Sequence, residues 1–395
     1  MPEARWVEVV WPLSGVAFRL YRPGDEEAII RLMRPYWHHL RSRKAREFWR
    51  WEYFSCAQDE PIIMVAEHLG RIVGHYAVIP LRMNVGQEVL MGARAEGAVV
   101  HPGYRGNIAP RFFPQREDVR IVKTLIRRIF AIAKHRRVEV IWGFPTDVAL
   151  RAEVRAGYTH VPLEVVFLVM VLDARRAPRC MALRHPLSVG LASLLALGSR
   201  LYGILSMPRG RAGLPAEEGV ELRVLSCLTR EDEEELGELW DRVVSEADLI
   251  TITRSPEFLR ARLLGNPVMP NWLITCRERG ELVGYVVVSL GSMGGVRYGI
   301  LEDMVALKEH RAAFLRLVKA AVRFLRAMGA AHVFTWLGVG RYASWYVKAL
   351  RRAGFLGRAV RKNFIVKLTT SRLDEKYIMN SRNWFITRAF SEGVR

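Results

Sequence analysis

Cysteine is scarce in this chain, and the few that occur are not spaced as pairs. The four cysteines, at positions 56, 180, 227 and 276, lie far apart, which argues against a cysteine zinc site and a disulfide framework. Lysine is also rare, since only 9 of the 60 basic residues are lysines. The first twenty residues contain two glutamates and no apolar run typical of a signal peptide. These absences predict a cytoplasmic protein.

A long hydrophobic run is missing as well. The most apolar segment, 187–207, is interrupted by Arg200, and its uncharged part is too short to span a bilayer. Apolar residues recur in it at helical spacing, so we expect a helix packed between domains. Arginines flank the segment on both sides, which leaves a peripheral membrane helix as the alternative.

What the chain does have is length, apolar residues and positive charge. Its 395 residues predict about two domains. With 50% hydrophobic and 25% charged residues, a sizeable core is available and wholesale disorder is excluded. The formal net charge of +20 indicates an anionic partner, which nucleic acid, a membrane or a phosphorylated cofactor would each satisfy.

The two halves of the chain repeat one another. Residues 65–78 and 275–288 align with an offset of 210, and each copy has two glycines, Gly70 and Gly74 in the first. Each copy predicts a β-hairpin with its turn at the first glycine. A second match, Arg-Ala-Gly-Tyr at 155–158 and Arg-Ala-Gly-Phe at 352–355, has an offset of 197 and predicts a helix that ends at glycine.

Between these matches, both halves predict the same order of elements. A strand leads to a basic amphipathic helix, about 119–137 in the first copy and 308–328 in the second, and another strand and helix follow. Each half is therefore predicted to be an α/β (α+β) lobe, a mixed and largely antiparallel sheet flanked by helices. The change of offset places an insertion at 107–120.

These patterns divide the chain into four parts, of which the two largest are the lobes. The predicted divisions are an N-terminal lobe at 1–172, an apolar helical connector at 173–218, a degenerate C-terminal lobe at 219–370 and a basic tail at 371–395.

The order of motifs resembles the GNAT acyltransferase superfamily in a tandem arrangement. The residues that carry the resemblance are Gly-Arg-Ile-Val-Gly at 70–74, Val-Val-His-Pro-Gly-Tyr-Arg-Gly at 99–106, and Arg-Ala-Gly-Tyr at 155–158. The likeness covers roughly 16–172 and, more weakly, 219–368. It implies acyl transfer with an acyl-CoA co-substrate, acetyl-CoA first, and no metal.

The resemblance also implies where coenzyme A would bind. A loop of backbone N–H groups at a helix N-terminus favours a pyrophosphate. Arg105 and Gly106 match the Arg-Gly core of that loop, but the next glycine is absent and the insertion interrupts it. The C-terminal copy has no glycine there, so we place any cofactor in the N-terminal lobe. The cofactor-binding candidates are Val99, Val100, His101, Arg105, Gly106, Asn107 and Lys123.

Glu96 is the candidate catalytic residue, because several GNAT members place a carboxylate base there, acting directly or through water. The alternative is that Glu96 pairs with a neighbouring arginine, Arg94 or Arg82. The family's frequent general acid is a tyrosine four residues before the glycine of the third motif. Glu153 occupies that position here and Leu350 in the second copy. Tyr158 and Tyr346 are nearby, although Tyr158 fits a packed strand residue better.

Three functions remain open from the sequence. The first is a CoA-dependent N-acyltransferase acting on a primary amine of a sugar, peptide or small metabolite. The second is a non-catalytic binding protein for nucleic acid or anionic lipid, since 305–395 hold 19 basic and 4 acidic residues. The third is aminoacyl transfer from charged tRNA, as in Fem-type enzymes.

Overall fold

The computed structural model of the chain describes residues 15–104, 117–173, 176–177 and 219–391, without the side chains of 38, 39 and 117–120. Most of the expected insertion and most of the expected connector, including 187–207, lie outside these residues. Among the described residues, no helix is both long and apolar enough to cross a membrane.

Strands dominate both lobes. In chain order they are β1 (Val16–Leu20), β2 (Ile62–His68), β3 (Arg71–Val85), β4 (Glu88–Val100), β5 (Val140–Gly143), β6 (Thr159–Val171), β7 (Val220–Leu225), β8 (Ile250–Ile252), β9 (Asn271–Glu278), β10 (Glu281–Met293), β11 (Val296–Ala306), β12 (His332–Gly338) and β13 (Leu356–Leu368).

The helices recur at matching places in the two lobes. They are α1 (Glu26–Met33), α2 (Ala45–Arg50), α3 (Glu117–His135), α4 (Asp147–Ala156), α5 (Arg230–Ser245), the short α6 (Pro256–Phe258), α7 (Arg311–Ala327), α8 (Ser344–Arg352) and the short α9 (Glu375–Ile378). A π-helical turn follows α2 at Trp51–Ser55 and another follows α6 at Leu259–Leu264. The predicted basic helices are α3 and α7.

One continuous sheet runs through both lobes, in the order β1-β2-β3-β4-β5-β13-β6-β12-β11-β10-β9-β7, with β8 paired to β3. The predicted mixed and mostly antiparallel character is confirmed. The repeat did not predict that the lobes exchange strands. The last strand of the second lobe, β13, pairs with β5 of the first, and β6 of the first pairs with β12 of the second.

The repeated hairpins form as the glycine pattern predicts. Gly70 has a φ of +72° and the preceding Leu69 a φ of +49°; Gly280 and Arg279 have φ of +86° and +53°. Two consecutive residues of positive φ give the type I′ turn, whose twist matches that of the flanking strands. The two hairpins therefore use the same turn at positions 210 residues apart.

Helices cover both faces of the sheet. In the first lobe α3 and α4 lie on one face, and α1 and α2 lie on the other. On α7 the predicted apolar stripe faces the sheet: Val318, Val322 and Leu325 are buried and Leu315 is partly buried. Burial of such stripes supplies the main favourable term for packing helices on a sheet.

The segment expected only as a basic tail is folded up to Ser391. Trp384, Phe385, Ile386 and Phe390 are each 1% exposed or less. Trp384 and Phe390 both contact the ring of Trp142 on β5. The end of the chain thus packs at the junction of the two lobes.

Candidate active site

The candidate site begins where two parallel strands separate. β4 and β5 pair in parallel over three residues only, from Gly92 with Val140 to Arg94 with Trp142. Beyond Arg94 the backbone of β4 continues along β3 to Val100, whereas β5 ends at Gly143. A cleft therefore opens between the two strands at their carboxyl ends.

A bulge at Gly97 shapes the wall of the cleft. The register of β4 against β3 shifts between the pairs Ala77–Glu96 and His75–Val99. Gly97 has a φ of +66°, and an added Cβ would lie 2.7 Å from the Tyr53 hydroxyl. Only glycine fits this backbone without strain. The bulge sends Glu96 to the α1–α2 face and Val100 to the α3 face.

The opposite wall comes from the loop after β5 and from α4. Thr146 caps α4 by accepting a hydrogen bond from the N–H of Ala149 at 3.3 Å. Residues 143–146 and the first two turns of α4 face β4 across the cleft. At the far end, Gly157, with a φ of +124°, ends α4 as the Arg-Ala-Gly-Tyr motif predicts.

The cleft encloses about 430 Å³, within the range of small-molecule sites. Its walls are mostly apolar, with Val99, Val100 and Val122 among them. Among the described residues that line it, the only charged ones are Glu96 and Glu153. The cavity therefore favours a ligand with apolar parts and a neutral or cationic reacting group.

Glu96 lies in the cavity wall and is only 3% exposed. Its Oε2 lies 3.3 Å from the Nε of Arg94. Glu96 thus contacts Arg94 and also faces the cleft, so the two interpretations of this residue from the sequence are compatible. Burial disfavours the ionised form of a carboxyl group, whereas the adjacent guanidinium of Arg94 favours it.

Val99 and Val100 line the same wall, as the resemblance implies. The N–H of His101 donates to Val73 O at 2.8 Å, so the backbone of Val100 faces away from β3, toward the cleft, by the alternation of an antiparallel ladder. The His101 N–H is therefore committed to β3. The ring of His101 is exposed and accepts from Gly103 N–H at 3.2 Å.

Of the remaining cofactor-binding candidates, only Lys123 lies among the described residues. Lys123 is half-buried in the second turn of α3 and does not line the cavity, although its neighbour Val122 does. Arg105, Gly106 and Asn107 lie outside the described residues.

Tyr158 is a packed residue, as expected from the sequence, whereas Tyr76 lines the cavity without having been predicted to do so. Tyr158 is buried in the core, and its hydroxyl accepts a hydrogen bond from Tyr76 at 3.0 Å. Tyr76 and Glu153 line the cavity. Burial raises the pKa of Tyr76 and of Tyr158 well above the usual value, so both stay protonated at neutral pH. Sequence reasoning missed Tyr76 because a strand tyrosine in a hairpin is typical of core packing.

The equivalent cleft of the second lobe is filled by the chain itself. β11 and β12 pair in parallel at only two positions, Gly299 with Val333 and Ile300 with Phe334. The strand ends then diverge, and the C-terminal segment lies in the gap. The N–H of Gly338 donates to Ile386 O at 2.9 Å, and Thr387 donates to Asp303 at 2.6 Å.

Asp303 is the counterpart of Glu96. Glu96 on β4 pairs with Ala77 on β3, and Asp303 on β11 pairs with Val287 on β10, each next to a bulge. The two partner residues, Ala77 and Val287, are 210 positions apart. Asp303 is fully buried and also accepts hydrogen bonds from Arg254 and from the Tyr285 hydroxyl at 3.1 Å. Its oxygens are thus occupied by protein donors, whereas Glu96 lines a cavity.

Tyr346 closes the other side of the second cleft. Its hydroxyl accepts from the N–H of Ala306 at 2.9 Å and donates to Ala306 O at 3.1 Å. Ala306 corresponds to Val100, because each pairs with the second hairpin glycine. At the offset of 197, the counterpart of Tyr346 is Ala149, which lines the open cavity. The two clefts therefore differ by a tyrosine and by the C-terminal segment.

None of the three cysteines among the described residues lines the cleft, and Cys227 is exposed. No group of three His, Cys, Asp or Glu residues in the described part of the chain could hold a metal ion. Cys56 and Cys276 are buried, and burial raises the pKa of the Cys56 thiol to about 12 and that of Cys276 to about 11. Neither is a ready nucleophile at neutral pH.

The sequence of the first lobe matches a known family. The family model described as an acetyltransferase (GNAT) domain matches residues 17–160. These residues form a GNAT domain. The match ends before most of β6, which belongs by pairing to the sheet of the second lobe. No curated protein sequence matches the chain at a significant level.

Solved structures extend the GNAT fold over both lobes. A tandem GNAT protein from the clavulanic acid biosynthesis pathway is 16% identical with a TM-score of 0.53, over 91% of this chain and 100% of that one. A GCN5-related N-acetyltransferase from Anabaena variabilis is 10% identical with a TM-score of 0.57, over 90% and 73%. Saccharomyces cerevisiae N-myristoyltransferase, solved with myristoyl-CoA, is 12% identical with a TM-score of 0.52, over 90% and 81%. At these identities the likeness establishes the fold.

Proposed function

We propose that this protein is an N-acyltransferase that moves an acyl group from acyl-CoA, acetyl-CoA first, to a primary amine of a sugar, peptide or small metabolite. The observation that carries the proposal is the open cleft of the GNAT domain, with Glu96 in its wall. The C-terminal lobe, whose own cleft is filled, serves as a structural partner.

The described residues fit the acyl end of a CoA thioester. The backbone of Val100 faces an apolar trough, where an extended amide chain can pair with a strand edge. In the second lobe a tyrosine hydroxyl pairs with both backbone groups of the equivalent residue, Ala306, which supports a similar pairing of Val100 with one donor and one acceptor of a ligand. Arg105, Gly106 and Asn107 are proposed to hold the pyrophosphate.

Glu96 is proposed as the general base. The amine nitrogen attacks the thioester carbonyl, forms the C–N bond and expels the thiolate; Glu96 takes the amine proton, directly or through water. The two carboxyl groups of the cavity also favour a cationic amine over an anionic acceptor. Tyr76 and Glu153 lie on the α4 side of the cavity, and no separate general acid is assigned.

The test combines binding with turnover. Calorimetry with CoA and acetyl-CoA should show binding, and thiol release from acetyl-CoA should depend on an amine drawn from a panel of sugar, peptide and small alkyl or aryl amines. Glu96→Gln should lower kcat by about 10²–10⁴-fold with CoA affinity kept. Glu164→Gln, an exposed glutamate on β6, is the matched control and should leave turnover unchanged.

Other outcomes would favour the remaining functions. Product formation with charged tRNA but not with acetyl-CoA would indicate aminoacyl transfer. The surplus of basic residues supports a polyanion-binding protein as the second candidate. The exposed basic residues of α7 and α8 include Arg311, Arg326, Lys348, Arg351 and Arg352. Absence of CoA binding together with nucleic-acid affinity that falls steeply with salt would replace the enzyme proposal with that one.

A further inference from the structure

A buried cluster of charges joins the two lobes beside Glu96. Arg94 donates through one terminal nitrogen to Glu52, in the π-helical turn after α2, and through the other to Ser391 O at 3.1 Å. Its third nitrogen, Nε, lies 3.3 Å from Glu96. Two nitrogens of Arg94 are therefore held by hydrogen bonds, and Nε makes a charge contact with the candidate base without hydrogen-bond geometry.

The second lobe contributes the other half of the cluster. Arg262 donates to the second oxygen of Glu52 at 2.9 Å and to Ser391 O at 2.6 Å. Glu52 and Ser391 O are thus each bracketed by one arginine from each lobe. Burial opposes the charge of Arg262, but the nearby carboxylates of Glu52 and Glu96 raise its pKa.

The contact is made by equivalent parts of the repeat. Glu52 and Arg262 are 210 residues apart, the offset of the hairpins, and both lie in the π-helical turns. Across this contact Trp51 donates to Ala261 O at 2.7 Å, and the Arg262 guanidinium lies 4.9 Å from the Trp51 ring centre. The equivalent positions carry opposite charges, so they can pair where the lobes meet.

The side chains of the cluster are almost fully buried. Arg94, Glu52, Glu96 and Arg262 are each 4% exposed or less, and two cations balance two anions. Removing one member of such a set leaves an uncompensated buried charge. Arg94 is the cation in direct contact with Glu96, so removal of Arg94 would leave Glu96 without this counter-ion.

We infer that Arg94 is a positioning residue, which keeps Glu96 ionised and aimed at the cleft, and that the C-terminal lobe completes the active site by fixing Arg94 through Arg262 and Ser391. The inference rests on the proposed role of Glu96. It gives the second lobe a part in the reaction although its own cleft is closed.

The effect on pH dependence follows from the groups around Glu96. They are Arg94 on β4, His75 and Tyr76 on β3, Glu52 and Tyr53 after α2, Arg262 from the second lobe and Glu153 on α4. A cation in contact lowers a carboxyl pKa by about 1–3 units. Without Arg94, Glu96 must hold its proton to a higher pH.

The test is the pH profile of kcat/KM with acetyl-CoA and the best amine from the panel. In Arg94→Gln the midpoint of the acid limb should rise by about 1–3 pH units, and Arg94→Lys should restore much of the shift. Arg254→Gln is the matched control. Arg254 is an equally buried arginine paired with Asp303, so its loss should destabilise the fold and leave the midpoint in place.

Two further variants keep the test decisive. In a Glu96→Gln background, Arg94→Gln should cause no further loss of kcat. If Arg94→Gln does not fold, Arg262→Gln should move the midpoint in the same direction by a smaller amount. A uniform loss at all pH values, an unmoved midpoint or additive losses would overturn the inference while the base role of Glu96 stands. Absence of any acetyl-CoA-dependent turnover in the wild type would overturn the proposed function and the inference with it.

Discussion

The substitution Ala149→Tyr should convert the open cleft into a copy of the closed one. Ala149 occupies the place that Tyr346 has in the second lobe. Tyr346 pairs with the backbone of Ala306 at the end of β11, and Ala149 lines the cavity together with Val100 at the end of β4. The new hydroxyl should pair with the N–H and C=O of Val100. It would then occupy the groups that the proposed donor needs.

The size of the effect follows from the two hydrogen bonds. At a net 0.5–1.5 kcal/mol each, losing both to the introduced tyrosine weakens donor binding by about 1–3 kcal/mol, or roughly 5- to 150-fold in Kd. The ring also takes up part of the 430 Å³ cavity, so the loss should lie at the upper end. Stability should change by less than about 1 kcal/mol, because the ring enters space that is already present.

Calorimetry with CoA and the thiol-release assay measure the effect, and thermal unfolding monitors the fold. Arg151→Tyr, on the exposed side of the same helix, is the control and should bind CoA as the wild type does. If Ala149→Tyr binds CoA with unchanged affinity while remaining folded, the donor does not lie in this cleft and the comparison of the two lobes does not bear on function.

Two further predictions concern stability. Asp303→Asn should destabilise the fold by about 3–5 kcal/mol in denaturant titrations, because it leaves Arg254 buried without its counter-ion. CoA affinity should stay within about twofold to threefold of wild type. A comparable loss of CoA binding would contradict a purely structural role of the second cleft. Burial lowers the pKa of His75 to about 4, so the unfolded chain binds more protons than the folded chain between about pH 4 and 6.5. The free energy of unfolding should therefore fall by about 3 kcal/mol as the pH drops from about 6.5 to 4. His75→Gln should flatten that part of the profile, whereas substitution of the exposed His160 by Gln should not.

The sequence predicted the parts of the fold that depend on local pattern. Glycines at the turn and helix ends fix the hairpins and α4, because positive φ is costly for other residues, and apolar periodicity predicts α3 and α7. The strand exchange was not predictable, because β6 and β13 have the same alternation whichever neighbour they pair with.

Only some residues of the site were predicted from the sequence. Glu96 was named because the resemblance to GNAT enzymes implies a carboxylate base just before Val99 and Val100. The alternative pairing with Arg94 was stated, but the roles of Glu52 and Arg262 depend on contacts between residues 210 positions apart, for which a single sequence holds no local signal. The same limit applies to Tyr346, whose hydroxyl could be placed only once α8 was seen beside β11.

The exchange of β6 and β13 has a consequence for synthesis on the ribosome. Until residue 368 has emerged, β5 lacks its neighbour β13, and the contact that holds Arg94 waits for residue 391. The β13-facing edge of β5 in the nascent GNAT domain therefore stays unpaired through more than half of translation, and an open strand edge can pair with other chains. We expect truncated chains that stop before β13 to aggregate and not to form an active half-enzyme. Pulse-labelled chains should resist protease only after their release from the ribosome.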